Sequence, residues 1–448
     1  MISQALLRRL DVPAPRYTSY PTVPEWSDAF GSADYARALA QAAASPELPL
    51  SLYVHIPFCK ELCSYCGCNV VVTRDQARVE RYLDALQAEI TLVAERLGTR
   101  RRVSRLHLGG GTPTFLDEQQ LLRLWRMLFG PFVIERDAEI ALEVDPAVTR
   151  PEQLLLLASL GFNRISMGVQ DFDPDVQRAV NRIQSVAETA AAVEYARSVG
   201  FRSVNLDLIY GLPRQTPASF ARTMSEVVTL APDRVAVFSF AYVPAARPNQ
   251  RSLPLADLPG GEAKHRLQEV ADEQLRAAGY HAIGIDHYAR AGDELARAAA
   301  DGTLWRDFQG YTTRRSDATV AFGVSGISDF GFAYAQNDHA LGRYQAAVSS
   351  GRFASTRGRW LSADDRRRRE VITQLMCNGR VHLGPDGLDY FARELDALRP
   401  LETDGLLTIA GPRLALTELG QRFARNVAMV FDAYLGAASP SRSFSRTV

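Results

Sequence analysis

The sequence predicts an α/β protein, a partial (β/α)6 TIM-like barrel with an N-terminal segment and a mainly helical C-terminal domain. Three observations carry this. Short apolar or β-branched runs recur six times, each followed by a stretch with apolar residues at i, i+3 and i+4. That rhythm changes after about residue 245. From about residue 362 the chain becomes helical and arginine-rich. A length of 448 residues fits two to four domains, or one large enzyme domain with an appendage.

Residues 1–48 read as an N-terminal strap or helical segment, containing the polar, aromatic, proline-bounded stretch PRYTSYPT (15–22). The barrel is expected over 49–300. Its strands are 51–56, 105–110, 139–144, 164–170, 203–211 and 234–240, with helices at 78–97, 118–129, 151–161, 186–200 and 217–230. Strand–helix alternation implies a parallel sheet, whose functional loops follow the strands' C-terminal ends. A Pro-, Gly- and Arg-rich connection (246–262) leads to a helix at 263–278 and a strand at 280–286. Residues 301–360 read as a loop-rich, substrate-side region, and 361–448 as a mainly helical domain. The latter ends in a hairpin turning at AGPR and an amphipathic helix, a winged-helix-like pattern.

The 51 basic and 51 acidic residues cancel, which argues against a nucleic-acid-binding chain and favours a packing role for that last unit. An anionic small substrate stays compatible, because local clusters can be basic. All basic residues but Lys60 and Lys264 are arginine, so one arginine says little. No secretory signal and no apolar run of membrane-spanning length is read, and a cytoplasmic protein with reduced thiols is expected.

Four of the five cysteines, Cys59, Cys63, Cys66 and Cys68, fall within ten residues. Zinc knuckles usually pair with a second, distant cysteine or histidine pair, and no second cluster exists here. Short cysteine loops suit iron–sulfur clusters. Three thiolates on a four-iron cluster leave one iron open to a small molecule. Cys377, alone in LMCNG, reads as a buried apolar residue. In GGGTP (109–113) the glycines allow close backbone approach, and Glu143 and Asp145 share a strand face. Gln170 and Asp207 lie in apolar strands, where hydrogen-bonded core residues are the plainer reading of each alone.

C-x3-C-x2-C-x-C after a first strand resembles the oxygen-independent coproporphyrinogen III oxidases (dehydrogenases) of the radical S-adenosylmethionine (SAM) superfamily. PRYTSYPT, YVHIPFC, LHLGGGTPT, GFNRISMGVQDF, DLIYGLP, DHYAR and FQGYTT extend the resemblance in order along nearly the whole chain. The resemblance implies a [4Fe–4S] cluster on Cys59, Cys63 and Cys66, with SAM bound at the open iron. It places Tyr53, Gly110, Gly111, Thr112, Glu143 and Ile327 at that SAM, and Tyr65, Gln170, Arg182, Asp207 and Ala241 at a second SAM. Tyr53, His55 and Cys68 belong to its catalytic surroundings, with the role of Cys68 open. The implied substrate is coproporphyrinogen III and the implied electron donor a reduced flavodoxin or ferredoxin. A monomer with neither nucleic acid nor membrane as partner is expected. A radical-SAM haem chaperone and a two-SAM C-methyltransferase are the alternatives. AARPNQRS (245–252) and SDFGFAY (328–334) fit the family pattern less well.

Overall fold

The computed structural model describes residues 4–435 together with Phe444, Arg446 and Thr447. The outermost residues of the expected strap and C-terminal domain lie outside these. The six expected strands form: β1 Leu50–Ile56, β2 Arg102–Gly110, β3 Val133–Val144, β4 Arg164–Gln170, β5 Ser203–Tyr210 and β6 Arg234–Ser239. Each neighbour is parallel, with registers such as Tyr53↔His107 and Glu143↔Ser166. The five intervening helices also form, at Gln76–Leu97, Glu118–Phe129, Pro151–Ser159, Val186–Ser198 and Pro217–Leu230. Local chemistry sets their starts. Asp117, Ser185 and Thr216 accept hydrogen bonds from the first-turn N–H groups of three of them.

Period-2 alternation divides each strand between two environments. In β1, Leu50, Leu52, Val54 and Ile56 are fully buried against the helix layer. Val79, Leu83, Leu86 and Ile90 of the helix Gln76–Leu97 complete that layer. Tyr53 and His55 point the other way, into the lumen. The same split sends Ile140 and Leu142 outward and Glu139 and Glu143 inward, or Leu206 outward and Asp207 inward. The lumen is therefore polar and hollow rather than filled with branched apolar side chains, as a closed barrel's is.

Downstream strands extend the sheet to twelve: β7 Tyr280–Ile283, β8 His287–Arg290, β9 Ala318–Phe322, β10 Ile327–Asp329, β11 Ala333–Asn337 and β12 Ser355–Trp360. The order is β12-β11-β10-β9-β1-β2-β3-β4-β5-β6-β8-β7. β9 pairs parallel with β1, from Leu50↔Ala318 to Val54↔Phe322. Residues expected as loop-rich therefore include a strand buried at all five positions, Ala318–Phe322. Its small and glycine residues, VAFGVSG, mask it in the sequence. Helix 263–278 and strand 280–286 appear as Gly261–Ala277 and the shorter Tyr280–Ile283.

The C-terminal part has its own apolar core, with Leu375, Phe391, Leu398, Leu414 and Phe431. Helices Ala363–Asn378 and Ala392–Thr403 pack with a small antiparallel sheet, including the expected hairpin Leu407–Ala410/Arg413–Leu416. The amphipathic helix expected after it is broken into Glu418–Arg422, Ala424–Ala428 and Met429–Phe431. Gly420 packs there against the Leu406 backbone, where a Cβ would not fit. Leu10, Tyr17 and Tyr20 of the N-terminal segment join this second core. Among the described residues no helix is long and apolar enough to cross a membrane.

Candidate active site

The lumen opens at the strands' C-terminal ends into a cavity of about 1670 Å³. It brings together all fifteen other residues named above for the site with Cys68, since each of them lines it. All five cysteines are free thiols, and Cys377 is buried as expected.

The cysteine loop leaves β1 and is held from two sides. Ser64 N–H donates to Val180 O at 2.9 Å, and Asn181 Nδ2 to Leu62 O at 3.0 Å. From the opposite side Asn249 Nδ2 reaches the carbonyls of Cys63, Ser64 and Cys66 at 3.3, 3.2 and 3.0 Å. Burial pushes the Cys59 thiol up to about 11, and it also raises Cys63 against the opposing pull of Arg182. Cys66 is drawn down to about 6, first by a hydrogen bond from the Cys68 thiol and further by the Cys68 N–H. That N–H lies 3.4 Å from Cys66 Sγ.

Tyr53 and His55 form one unit. His55 Nε2 lies 2.8 Å from the Asn69 carbonyl, which only accepts, so Nε2 carries the proton. Nδ1 then accepts from the Tyr53 hydroxyl at 3.0 Å. Burial holds His55 below its ordinary value, which keeps this neutral form. Tyr53 also stacks on His107, with ring centroids 6.0 Å apart. The glycines after β2 make room for this unit. A Cβ on Gly110 (φ 113°) would lie 2.5 Å from the His55 ring, and one on Gly111 would lie 2.7 Å from Phe58 O. Thr112 Oγ1 sits 3.7 Å from Cys59 Sγ.

Glu143 meets His107 Nε2 at 3.1 Å and accepts from Gly110 N–H at 3.4 Å. Burial raises its carboxyl, but His107 and Gly110 outweigh that and hold it below the ordinary value. Part of it stays open to the lumen, its side chain being 40% exposed. Arg182 is more than a background arginine. Its guanidinium donates to Gly168 O at 2.5 Å, pairs with Asp145 at 3.1 Å and lies 3.8 Å from Cys63 Sγ. Gln170 ends β4 in a left-handed conformation (φ 69°) beside a register shift, which turns its side chain toward Arg182 and Gly168. Asp207 accepts from Ser166 Oγ at 2.7 Å and Asn205 Nδ2 at 2.8 Å, and burial still raises it. Tyr65 packs near Phe240 and Leu253, and Ile327 near Trp26 and Tyr334.

The lumen also holds residues the sequence did not single out. Arg105 and Arg164 pair with Glu139, and Arg234 pairs with Asp293, closing the floor with neutralised charge. Arg16 of PRYTSYPT pairs with Asp286, whose other oxygen lies 2.6 Å from His287 Nδ1. Arg306 donates to the Arg16 carbonyl at 2.6 Å. Arg182 Nε, Arg234 Nη2 and Arg306 Nε have no hydrogen-bond partner. Alternation flags His107 and Arg105 as lumen-facing, but 49 arginines in the sequence hide which ones matter.

The implied cluster and SAM can be tested against these residues. Among the described residues no three His, Cys, Asp or Glu side chains could hold a single metal ion. The fit to a larger cluster rests on three free thiols on one pinned loop facing one cavity. The partly open Glu143 carboxylate and the orphaned guanidinium donors suit the ammonium and carboxylate of an amino acid. The residues fit both groups.

Comparison with known proteins agrees with this geometry. The radical SAM superfamily model matches residues 53–227, and the HemN C-terminal domain model matches 361–423. The oxygen-independent coproporphyrinogen III oxidases of Salmonella typhimurium and Escherichia coli K12 are 46% and 45% identical over 99% of this chain and 98% of theirs. That of Pseudomonas aeruginosa is 44% identical over the same shares. The solved Escherichia coli coproporphyrinogen III oxidase (HemN), described as a radical SAM enzyme, superposes with a TM-score of 0.92 at 45% identity. It covers 97% of this chain and 99% of that one. This chain belongs to the oxygen-independent coproporphyrinogen III oxidase family of the radical SAM superfamily.

Proposed function

We propose that this enzyme oxidatively decarboxylates two propionate side chains of coproporphyrinogen III to vinyl groups, giving protoporphyrinogen IX. The observation that carries this is a single lumen shared by the cysteine loop, the Tyr53–His55 pair and Arg16 of the N-terminal strap. Its volume of about 1670 Å³ exceeds the ~300–1,000 Å³ of an ordinary one-ligand pocket. That leaves room for a tetrapyrrole beside a nucleoside cofactor.

Cys59, Cys63 and Cys66 would hold the cluster, with Glu143 and the Gly110–Thr112 backbone facing the first SAM. When bound, cluster and SAM would supply the radical chemistry that removes a hydrogen atom from each propionate β-carbon, with the carboxylate leaving as CO2 and the remaining electron going to an external one-electron acceptor. This chain's own residues orient and shield. Tyr53 and His55, already satisfied by each other and by Asn69, form a fixed wall. Arg306 and Arg234 offer orphaned donors to a polycarboxylate. Arg16 and Thr18 of the strap line the lumen, and Arg16 is anchored there by Asp286. Tyr65, Gln170, Arg182, Asp207 and Ala241 line the space proposed for a second SAM. A reduced flavodoxin or ferredoxin would deliver electrons to a cytoplasmic monomer.

Anaerobic turnover of reconstituted enzyme with SAM and reductant should yield vinyl product, CO2 and 5′-deoxyadenosine. Equilibrium dialysis should find two SAM per cluster-loaded chain. Haem binding without porphyrinogen turnover, or S-adenosylhomocysteine as product, would overturn the reading.

A further inference from the structure

The short turn Pro248–Ser252 lies far in sequence from the cysteine loop, yet its side chains grip that loop's backbone. The loop contains one tight turn, closed by Cys66 N–H donating to Cys63 O at 3.1 Å. Buried backbone carbonyls in such a turn need hydrogen-bond donors. Asn249 supplies them. Its side-chain amide has two hydrogens and three acceptors, the carbonyls of Cys63, Ser64 and Cys66 at 3.0–3.3 Å, so one hydrogen is shared. Gln250 serves the fourth. Its Nε2 donates to Tyr65 O at 3.2 Å and to Ala241 O at 3.1 Å, while its Oε1 accepts from Val243 N–H at 2.6 Å. Gln250 is 2% exposed, and both ends of its amide are engaged. Ser252 Oγ meets Ser64 Oγ at 3.2 Å. Four consecutive carbonyls, at residues 63–66, are thus capped from one turn.

We propose that Asn249 and Gln250 are positioning residues that preset the cysteine loop for its cluster and tether it to the β6 exit carrying Ala241. The proposal rests on Cys59, Cys63 and Cys66 being the cluster ligands. A floating loop would lose backbone freedom on binding iron, whereas a capped loop has lost it at folding. The tether through Gln250 also means that the cluster loop and the Ala241 segment move as one body. The side-chain chemistry gives the test its sign. Aspartate has nearly the shape of asparagine but only acceptors, so Asn249→Asp sets a carboxylate against three carbonyl oxygens. Asn249→Ala merely removes the donors.

Wild type, N249A, N249D and a C63S control are purified anaerobically. Hydrogen exchange is followed in the apoproteins, and chelator-driven iron loss after reconstitution. Donation by Asn249 predicts iron loss roughly five- to tenfold faster in N249A and faster still in N249D. It also predicts quicker exchange of amides 60–68 in both apoproteins, with the β2–β5 amides unchanged. The EPR signal of the reduced cluster should keep its response to SAM in N249A. A packing role predicts that N249D behaves as wild type, which would overturn the proposal, as would unchanged loop exchange in both variants. If C63S takes up and keeps a cluster as wild type does, the ligand assignment fails instead, and the apoprotein exchange still decides whether the clamp exists.

Discussion

Single residues in this site serve their neighbours before they serve a ligand. Gly110 shows it most directly. Its positive φ and the His55 ring 2.5 Å from where a Cβ would sit admit no side chain. Gly110→Ala should therefore cost ~1–3 kcal/mol in stability, read from the denaturant midpoint, and displace the Tyr53–His55 pair. Glu143 behaves differently, because its carboxylate is partly open to the lumen. Glu143→Gln keeps the shape and removes the charge. SAM affinity should fall roughly ten- to hundredfold by equilibrium dialysis, with the fold intact by circular dichroism. At this scale the sequence is uneven. The cysteines announce themselves by clustering, whereas Asn249 and Arg182 carry no local signal, one in a proline-rich connection and the other among 49 arginines. Their importance comes from contacts made across more than a hundred residues.

Elements read more clearly. Strands β1 to β6 and their helices follow directly from apolar periodicity, since each buries one face on a continuous core. β9 was hidden because a strand buried on both faces and followed by glycines has no alternation to read. β9 leads into a loop held by the helix Gln76–Leu97 through Glu89. That carboxyl accepts from Gly323 N–H at 2.7 Å, Asn337 Nδ2 at 2.6 Å and Tyr344 OH at 2.7 Å. Burial nonetheless pushes it up to about 7 from an ordinary 4.5. The folded chain therefore binds this proton more tightly than the unfolded chain does. Stability from this group is full below pH 4.5 and declines by ~3 kcal/mol as pH rises through 7. Urea unfolding at pH 5 and pH 8 should show that decline in wild type and a flatter difference in Glu89→Gln.

At the scale of the whole molecule, the apolar cores are built without the cysteine loop. The barrel core extends from Phe30 to Ala354 and contains none of the four loop cysteines, and the C-terminal part holds a separate core. Removing iron should leave far-UV circular dichroism and cooperative unfolding intact, unlike a zinc finger, which unfolds without metal. A large loss of helix signal on chelation would contradict this. The broad organisation was legible because segment rhythm changes where the architecture changes. The second core was not, since it draws on Leu10, Tyr17 and Tyr20 from the opposite end of the sequence.

That distant pairing has a consequence in time. Val12 exchanges hydrogen bonds with Thr447 at 2.9 and 3.0 Å, Asn426 Nδ2 holds Leu10 O at 2.8 Å, and Tyr17 OH reaches Asp432 at 3.0 Å. The segment that contributes Arg16 and Thr18 to the lumen lining is among the earliest to be synthesised, yet the residues it binds here are among the latest. These contacts require residues made after the cysteine loop and after all twelve strands of the large sheet. The join between the two ends of the chain therefore forms last, after every strand of the twelve-stranded sheet has been made.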